Sequence, residues 1–301
     1  MTALTINFCK KRFINSCKQN ETNNKTSMNI YRFIRNPMLA AGFLLVLSSC
    51  MKNHSLVINP ILNGNMIITF SHHIKGNDLK FDSLIYTTSL GNRYQVNNLK
   101  YFISELSFHL QDKKWMEVTM DKGIHYTDAR DNYSCSWWLS DLFPAGTYDT
   151  IAFTFGLNEQ QNQTGLFPNP PERDMFWPDI LGGGYHYLMM DLKWKNSTMT
   201  ETQPFDFHLG IGQVYAGDTL SNDSIIGFIQ NYFRVILPCK MIIVQGKYQQ
   251  IILQMDVDKW FDGKFAFNFA DYPEGMIMQV QEGMFRACVN GRDVFSAVIP
   301  K

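Results

Sequence analysis

Between Arg93 and Leu110, β-branched and aromatic residues recur at close to every second position, the period of a strand and not of a helix. Asn65 to Phe70 alternates in the same way. Further strand-like runs span Thr147 to Gly156, Tyr185 to Trp194, Phe205 to Leu209, Tyr232 to Leu237, Ile242 to Val244 and Gln249 to Val257. The segments between them are rich in Gly, Asn, Asp and Pro, and helical periodicity is scarce. The pattern predicts an all-β fold: an antiparallel β-sandwich forming one domain over residues 65–301, with no evident repeat. One exception lies near the end, where Met276, Ile277, Val280, Met284 and Cys288 recur every three to four residues before Asn290-Gly291. That spacing predicts a short C-terminal helix covering part of the sandwich. Composition agrees with a packed core, since 45% of the 301 residues are apolar and only 18% are charged. The 27 basic and 27 acidic residues cancel, which argues against a polybasic nucleic-acid binder.

The N-terminal region reads as an address and not as structure. Arg32 and Arg35 precede the apolar run Met38 to Leu47, and Leu47-Ser48-Ser49-Cys50 has the form of a lipobox. Small residues fit the peptidase, and the Cys50 thiol takes the diacylglycerol. The apolar run is about ten residues, too short for the roughly 20 that span a bilayer. Residues 1–49 are therefore expected to be removed, with Met28 as the true initiator, and residues 50–64 to form a lipidated tether. The expected location is the cell envelope, anchored by lipid to the outer membrane of a Gram-negative bacterium. Cleavage removes seven basic residues and one acidic residue, which leaves the mature chain at −6.

Beyond the anchor only Cys135, Cys239 and Cys288 remain, so at most one disulfide can form; three buried thiols is an equal alternative. The loop from Asn158 to Gly184 is long for a compact domain and holds Pro168, Pro170, Pro171, Trp177, Pro178 and the run Gly182-Gly183-Gly184. It reads either as part of a site or as an aromatic plug at one end of the sandwich. Trp177, between Met175, Phe176 and Pro178, is expected to be buried or to rest on the glycine run. No nucleophile elbow, phosphate loop or zinc-type Cys/His spacing is present, and the chain is not expected to be an enzyme.

Several segments, in order, resemble one family. They are HHIKGNDL from His72, YQVNNLKYFISEL from Tyr94, MFWPDILGGGYHYLMMDLKW from Met175, FDFHLG from Phe205 and NGRDVFS from Asn290. Together they resemble the MbnP-like family of bacterial periplasmic proteins and lipoproteins, named for a copper-binding protein associated with methanobactin. The resemblance implies a β-rich domain, copper binding in some members, and the company of a dihaem peroxidase-like protein able to oxidise a tryptophan to kynurenine. Here Trp177 is followed by Pro178-Asp179, where some members carry Trp-x-Trp. His72, His186 and His208 lie in three of the matching segments and form the candidate copper ligands, with Trp177 beside them or as a modified ligand. Imidazole suits copper and zinc, and Met175, Met189 and Met190 are possible sulfur donors. Strand alternation gives no reason for His186 and His208 to face the same side. The second reading is a binding or structural lipoprotein whose aromatic residues, among them Trp137, Trp138 and Trp177, contact a carbohydrate, a peptide or an outer-membrane receptor.

Overall fold

The structure, a computed structural model, describes residues 63–111, 114–217 and 221–300. The expected signal region, Cys50, His54 and the tether up to residue 62 lie outside the described residues. Two sheets pack face to face. The smaller contains β1 (Asn63–Ile74), β4 (Ser136–Pro144), β11 (Tyr248–Asp256) and β12 (Phe295–Val298). The larger runs in the order β7 (Gln203–Leu209), β6 (Leu188–Lys195), β2 (Arg93–Leu110), β5 (Gly146–Phe155) and β10 (Phe233–Ile243), with β3 (Ile124–Asp128) also paired to β2. A separate two-stranded ribbon joins β8 (Gly212–Tyr215) to β9 (Ile225–Ile229). Among the named strands of the described residues the pairing is antiparallel except that β1 runs parallel to β11, Asn65 standing opposite Tyr248.

The alternation that predicts these strands is the alternation of burial. Along β1 every second residue from Gly64 to Ile74 is buried. β2 departs from strict alternation twice. Its inward residues are Tyr94 and Val96, then Leu99, Tyr101 and Ile103, then Leu106, Phe108 and Leu110. The phase slips fall where the register shifts, between Val96 and Asn98 against β6 and between Ser104 and Ser107 against β5. Each slip is a bulge, which inserts a residue without turning the apolar set outward.

Phe102, out of phase with its neighbours, nucleates a second apolar cluster on the far face of the larger sheet. It packs with Ile124, Tyr126, Leu157, Met175, Tyr185, Tyr187 and Ile211. These residues come from the strand ends and the 158–187 loop, so that loop is folded down onto the sheet as an aromatic cover. The C-terminal helix α1 (Gln281–Gly291) starts five residues later than the spacing from Met276 suggests, because Met276 forms an isolated bridge with Asp206 and Ile277 donates its amide to the Asp206 carbonyl. Cys135, Cys239 and Cys288 are three free, partly buried thiols, so no disulfide forms among the described residues.

Two histidines, buried His72 and half-buried His125, tie stability to pH. Burial, with a smaller effect of neighbouring His73, lowers His72 to about 3, and burial lowers His125 to about 4. Both stay neutral in the folded protein, whereas in the unfolded chain they take up protons near 6.5. The unfolded state then binds more protons, so the contribution of these two groups to stability is fully present above about pH 6.5 and shrinks as pH falls towards 4. Urea unfolding across this window is expected to show the loss, and His72→Gln should reduce its slope by about 1.4 kcal/mol per pH unit. Equal slopes for the two proteins would contradict the assignment.

Candidate metal centre

β6 and β7 are adjacent antiparallel strands with Asp191 opposite Asp206 and Met189 opposite His208. Alternation sends Leu188, Met190 and Leu192 inward with Phe205, Phe207 and Leu209, all buried. It leaves Met189, Asp191, Asp206 and His208 on the outer face. The ligand atoms of Asp191, Asp206 and His208 lie within 4.8 Å of one another. His208 donates from Nε2 to Asp191 Oδ1 at 2.7 Å, and Asn98 Nδ2 donates to Asp191 Oδ2 at 3.1 Å. Burial alone would raise the Asp191 carboxyl, but the hydrogen bond and charge of His208, aided by Asn98 and Lys100, hold it below the usual carboxylate range. Like charges directly opposite on a sheet repel, so a cation between Asp191 and Asp206 would be stabilised.

His186 reaches this face by a different route. It precedes β6 between two buried tyrosines, in a stretch where the backbone amides of Tyr185 and Tyr187 bond to Asn162 Oδ1 and to the Leu209 carbonyl. Its ring centroid lies 5.0 Å from that of His208, at 87°, and 4.7 Å from that of Trp177. Nδ1 faces the Met175 carbonyl oxygen at 3.0 Å and must therefore donate, which fixes the tautomer and leaves Nε2 as the lone-pair nitrogen. Burial, and next the proximity of His208, lower His186 to about 4, so it is neutral at neutral pH.

Trp177 is fully buried. Its Nε1 donates to the Leu181 carbonyl at 3.1 Å and its backbone amide to Gly184. The indole lies on Gly210, where a Cβ would fall 2.6 Å from Cε3. Gly210, immediately after β7, is thus what lets the ring lie under His186. The glycine run does a related job at Gly184, whose φ of +79° favours glycine and whose Cβ would collide with Asn162.

The structure brings together His186, His208 and Trp177, and it sets His72 apart. His72 projects from β1 into the space between the sheets, with Nε2 3.1 Å from the Tyr101 hydroxyl. Tyr101 belongs to the inner face of the larger sheet and His208 to its outer face, so the sheet itself separates them. Of the candidate sulfurs, Met190 is in the main core and Met175 in the second cluster, while Met189 shares the outer face with His208. Sequence reasoning missed Asp191 and Asn98. The signal was present in the paired alternation of MMDLKW and FDFHLG, which needs only the register to align the two aspartates.

A two-sheet β-sandwich with a histidine–carboxylate cluster under an aromatic loop defines the class of protein. The chain belongs to the MbnP family, whose profile matches residues 63–279. Among solved structures, MbnP from Methylosinus trichosporium aligns at 12% identity over 66% of this chain and 77% of that chain, with a TM-score of 0.44. Comparison with curated proteins gave no match.

Replacing Trp177 by Ala empties a sealed site and is expected to destabilise the fold by about 3 to 5 kcal/mol. Gly210→Ala should displace the ring and lower the unfolding midpoint as well. Thermal unfolding of both variants checks the packing, and an unchanged midpoint in either would contradict it.

Proposed function

We propose that the protein is a copper-binding lipoprotein of the cell envelope. The observation that carries this reading is the meeting of two imidazoles with two carboxylates on one outer sheet face, with ligand atoms of His208, Asp191 and Asp206 within 4.8 Å and the His186 ring against His208. This donor set of nitrogen and oxygen suits Cu(II), which favours tetragonal N,O coordination, better than Cu(I), which favours sulfur. His186 and His208 would hold the metal, with Asp206 as a charged ligand. Asp191 already receives the His208 Nε2 proton, the arrangement that orients a ligating histidine and raises its basicity. Bound copper would supply a redox-active cation; the chain supplies a dry aromatic wall in Trp177 and a neutral His186. Binding and handling of the metal, and not catalysis, is the role this supports. A dihaem peroxidase-like partner would act on Trp177, which stands in ring contact with His186.

Copper titration at pH 7 of protein purified without metal tests this. One equivalent is expected, with His186→Ala and His208→Ala each weakening binding at least tenfold and Asp206→Asn weakening it less. His125→Ala and His72→Gln, which change residues away from the His186–His208 face, should leave affinity unchanged. No stoichiometric uptake by the parent, or equal affinities across these variants, would end the copper reading.

A second reading rests on a cleft of about 630 Å³ beside the loop, walled by Tyr126, Tyr133, Trp137, Trp138 and Phe167 with Asp131 and Glu172 at its rim. Tyr133 is 89% exposed there. Aromatic faces with carboxylates suit a sugar ring or a peptide, and this is the account that a protein without copper affinity would favour. Membrane attachment through Cys50 is common to both readings. Cys50→Ala should abolish palmitate labelling and release the protein from the membrane fraction.

A further inference from the structure

We propose that the end of the sandwich at which β1 begins is a membrane-docking face, which lays the domain against the bilayer that holds its anchor. Two turns, the end of β2 and the start of β1 converge there. Asn63 pairs with Pro144 and Gly64 with Phe143, which brings the β4–β5 turn beside the entering chain. Gly246 donates to the Asn63 carbonyl and Asn65 to that of Lys247, which places the β10–β11 turn on the other side. Ile243 pairs with Gly146, and Gln111 donates to the Thr147 carbonyl, so Gln111, immediately after β2, belongs to the same end.

The side chains at this end are unusual for a surface. Leu142, Ile242 and Tyr248 are 60%, 57% and 61% exposed, and Val244 and Trp115 are also exposed. Trp138 flanks them, its ring 5.7 Å from Tyr248, and is exposed as well. Interleaved with these apolar groups are exposed Lys114, Lys240 and Lys247. Aliphatic tips, indole and phenol rings and lysines are the set that settles at a lipid headgroup boundary, where rings sit at the interface and lysine stems lie along apolar surface with the ammonium outward.

Position in the chain selects the lipid surface over a second copy of the protein. Twelve residues separate Cys50 from Asn63. Fully extended they reach at most about 45 Å, so an acylated Cys50 keeps this end close to the bilayer and raises its local concentration of lipid. The proposal thus rests on the lipoprotein reading. The hairpin β8–β9 also exposes apolar residues, Ile226 and Phe228 among them, but that hairpin packs by the Gly182 turn and not at the tethered end.

The full chain, acylated in cells, is reconstituted into phosphatidylcholine–phosphatidylglycerol liposomes whose acyl chains carry bromine, and tryptophan fluorescence is read. Trp115 and Trp138 are exposed, whereas Trp137, Trp177, Trp194 and Trp260 are buried. Partial quenching is expected, lost in the double variant W115F/W138F. The double variant I242D/V244D should stay with the liposomes through its acyl chains yet lose at least half of the quenching. Its unfolding midpoint should be unchanged, because both positions face solvent. Retention on liposomes without quenching would overturn the docking face while leaving the anchor intact. If the protein is neither palmitate-labelled nor retained, the anchor reading has failed. The same bromolipid vesicles in excess then decide the matter, quenching supporting the face and its absence overturning it. Self-association that I242D/V244D abolishes, with no bromolipid quenching, would assign the face to a second copy and overturn the proposal.

Discussion

The burial of β2 on both of its faces is the constraint from which the rest of the architecture follows. An antiparallel strand in a sandwich ordinarily has one apolar face and one wet face. Here Tyr101 and Ile103 fill the space between the sheets while Phe102, between them, is covered from the other side by Tyr126, Phe167 and Tyr185. Covering Phe102 demands a long chain segment on the outer face, and that segment carries Trp177 and His186. The bulge at Asn97-Asn98 then sets the β2–β6 register that puts the Asn98 amide on Asp191. Core packing and the cluster of polar ligands are thus consequences of the same phase slips.

Much of this was legible from the strand periodicity, and the failures have physical reasons. Runs whose apolar residues share one face, such as Met66, Ile68 and Phe70, announce themselves as strands. Ser136–Pro144 did not, because Trp138 and Leu142 are exposed while Trp137, Leu139 and Phe143 are buried, so apolar residues occupy both faces and the period-two signal cancels. The runs from Tyr232 and from Ile242 are one strand, interrupted by a register shift between Pro238 and Met241 that a sequence reads as a turn. For the site, alternation gave His208 and Asp206 a common face. It could not place His186, because that residue is held by backbone bonds to Met175 and by ring contacts, not by a ladder. His72 was a fair candidate by residue type, yet position 72 is an inward position on β1, and only the pairing of the sheets shows that inward there means away from His208.

The electrostatics of the cluster are asymmetric. His186 is held neutral by its surroundings, while Asp191 is held charged by His208 and Asn98. One side of the site is therefore a preformed neutral donor and the other a fixed negative charge. Because these states are set by packing and hydrogen bonds, a cation arriving at neutral pH need not displace a proton from His186.

The parallel pairing of β1 with β11 joins the first described strand to one that lies near the end of the chain, with Asn65 against Tyr248. No local hairpin can form this contact, and closing so long a loop must precede any gain from it. The smaller sheet therefore stays incomplete until nearly the whole polypeptide is available. A chain delivered N-terminus first through a narrow passage could pair β1 with β4 early but would leave the other edge of β1 unmatched, and completion of the sheet would coincide with the arrival of the C-terminal strands on the far side. In such a passage topology would act as a clock, holding that edge of the sheet open until the last strands have followed.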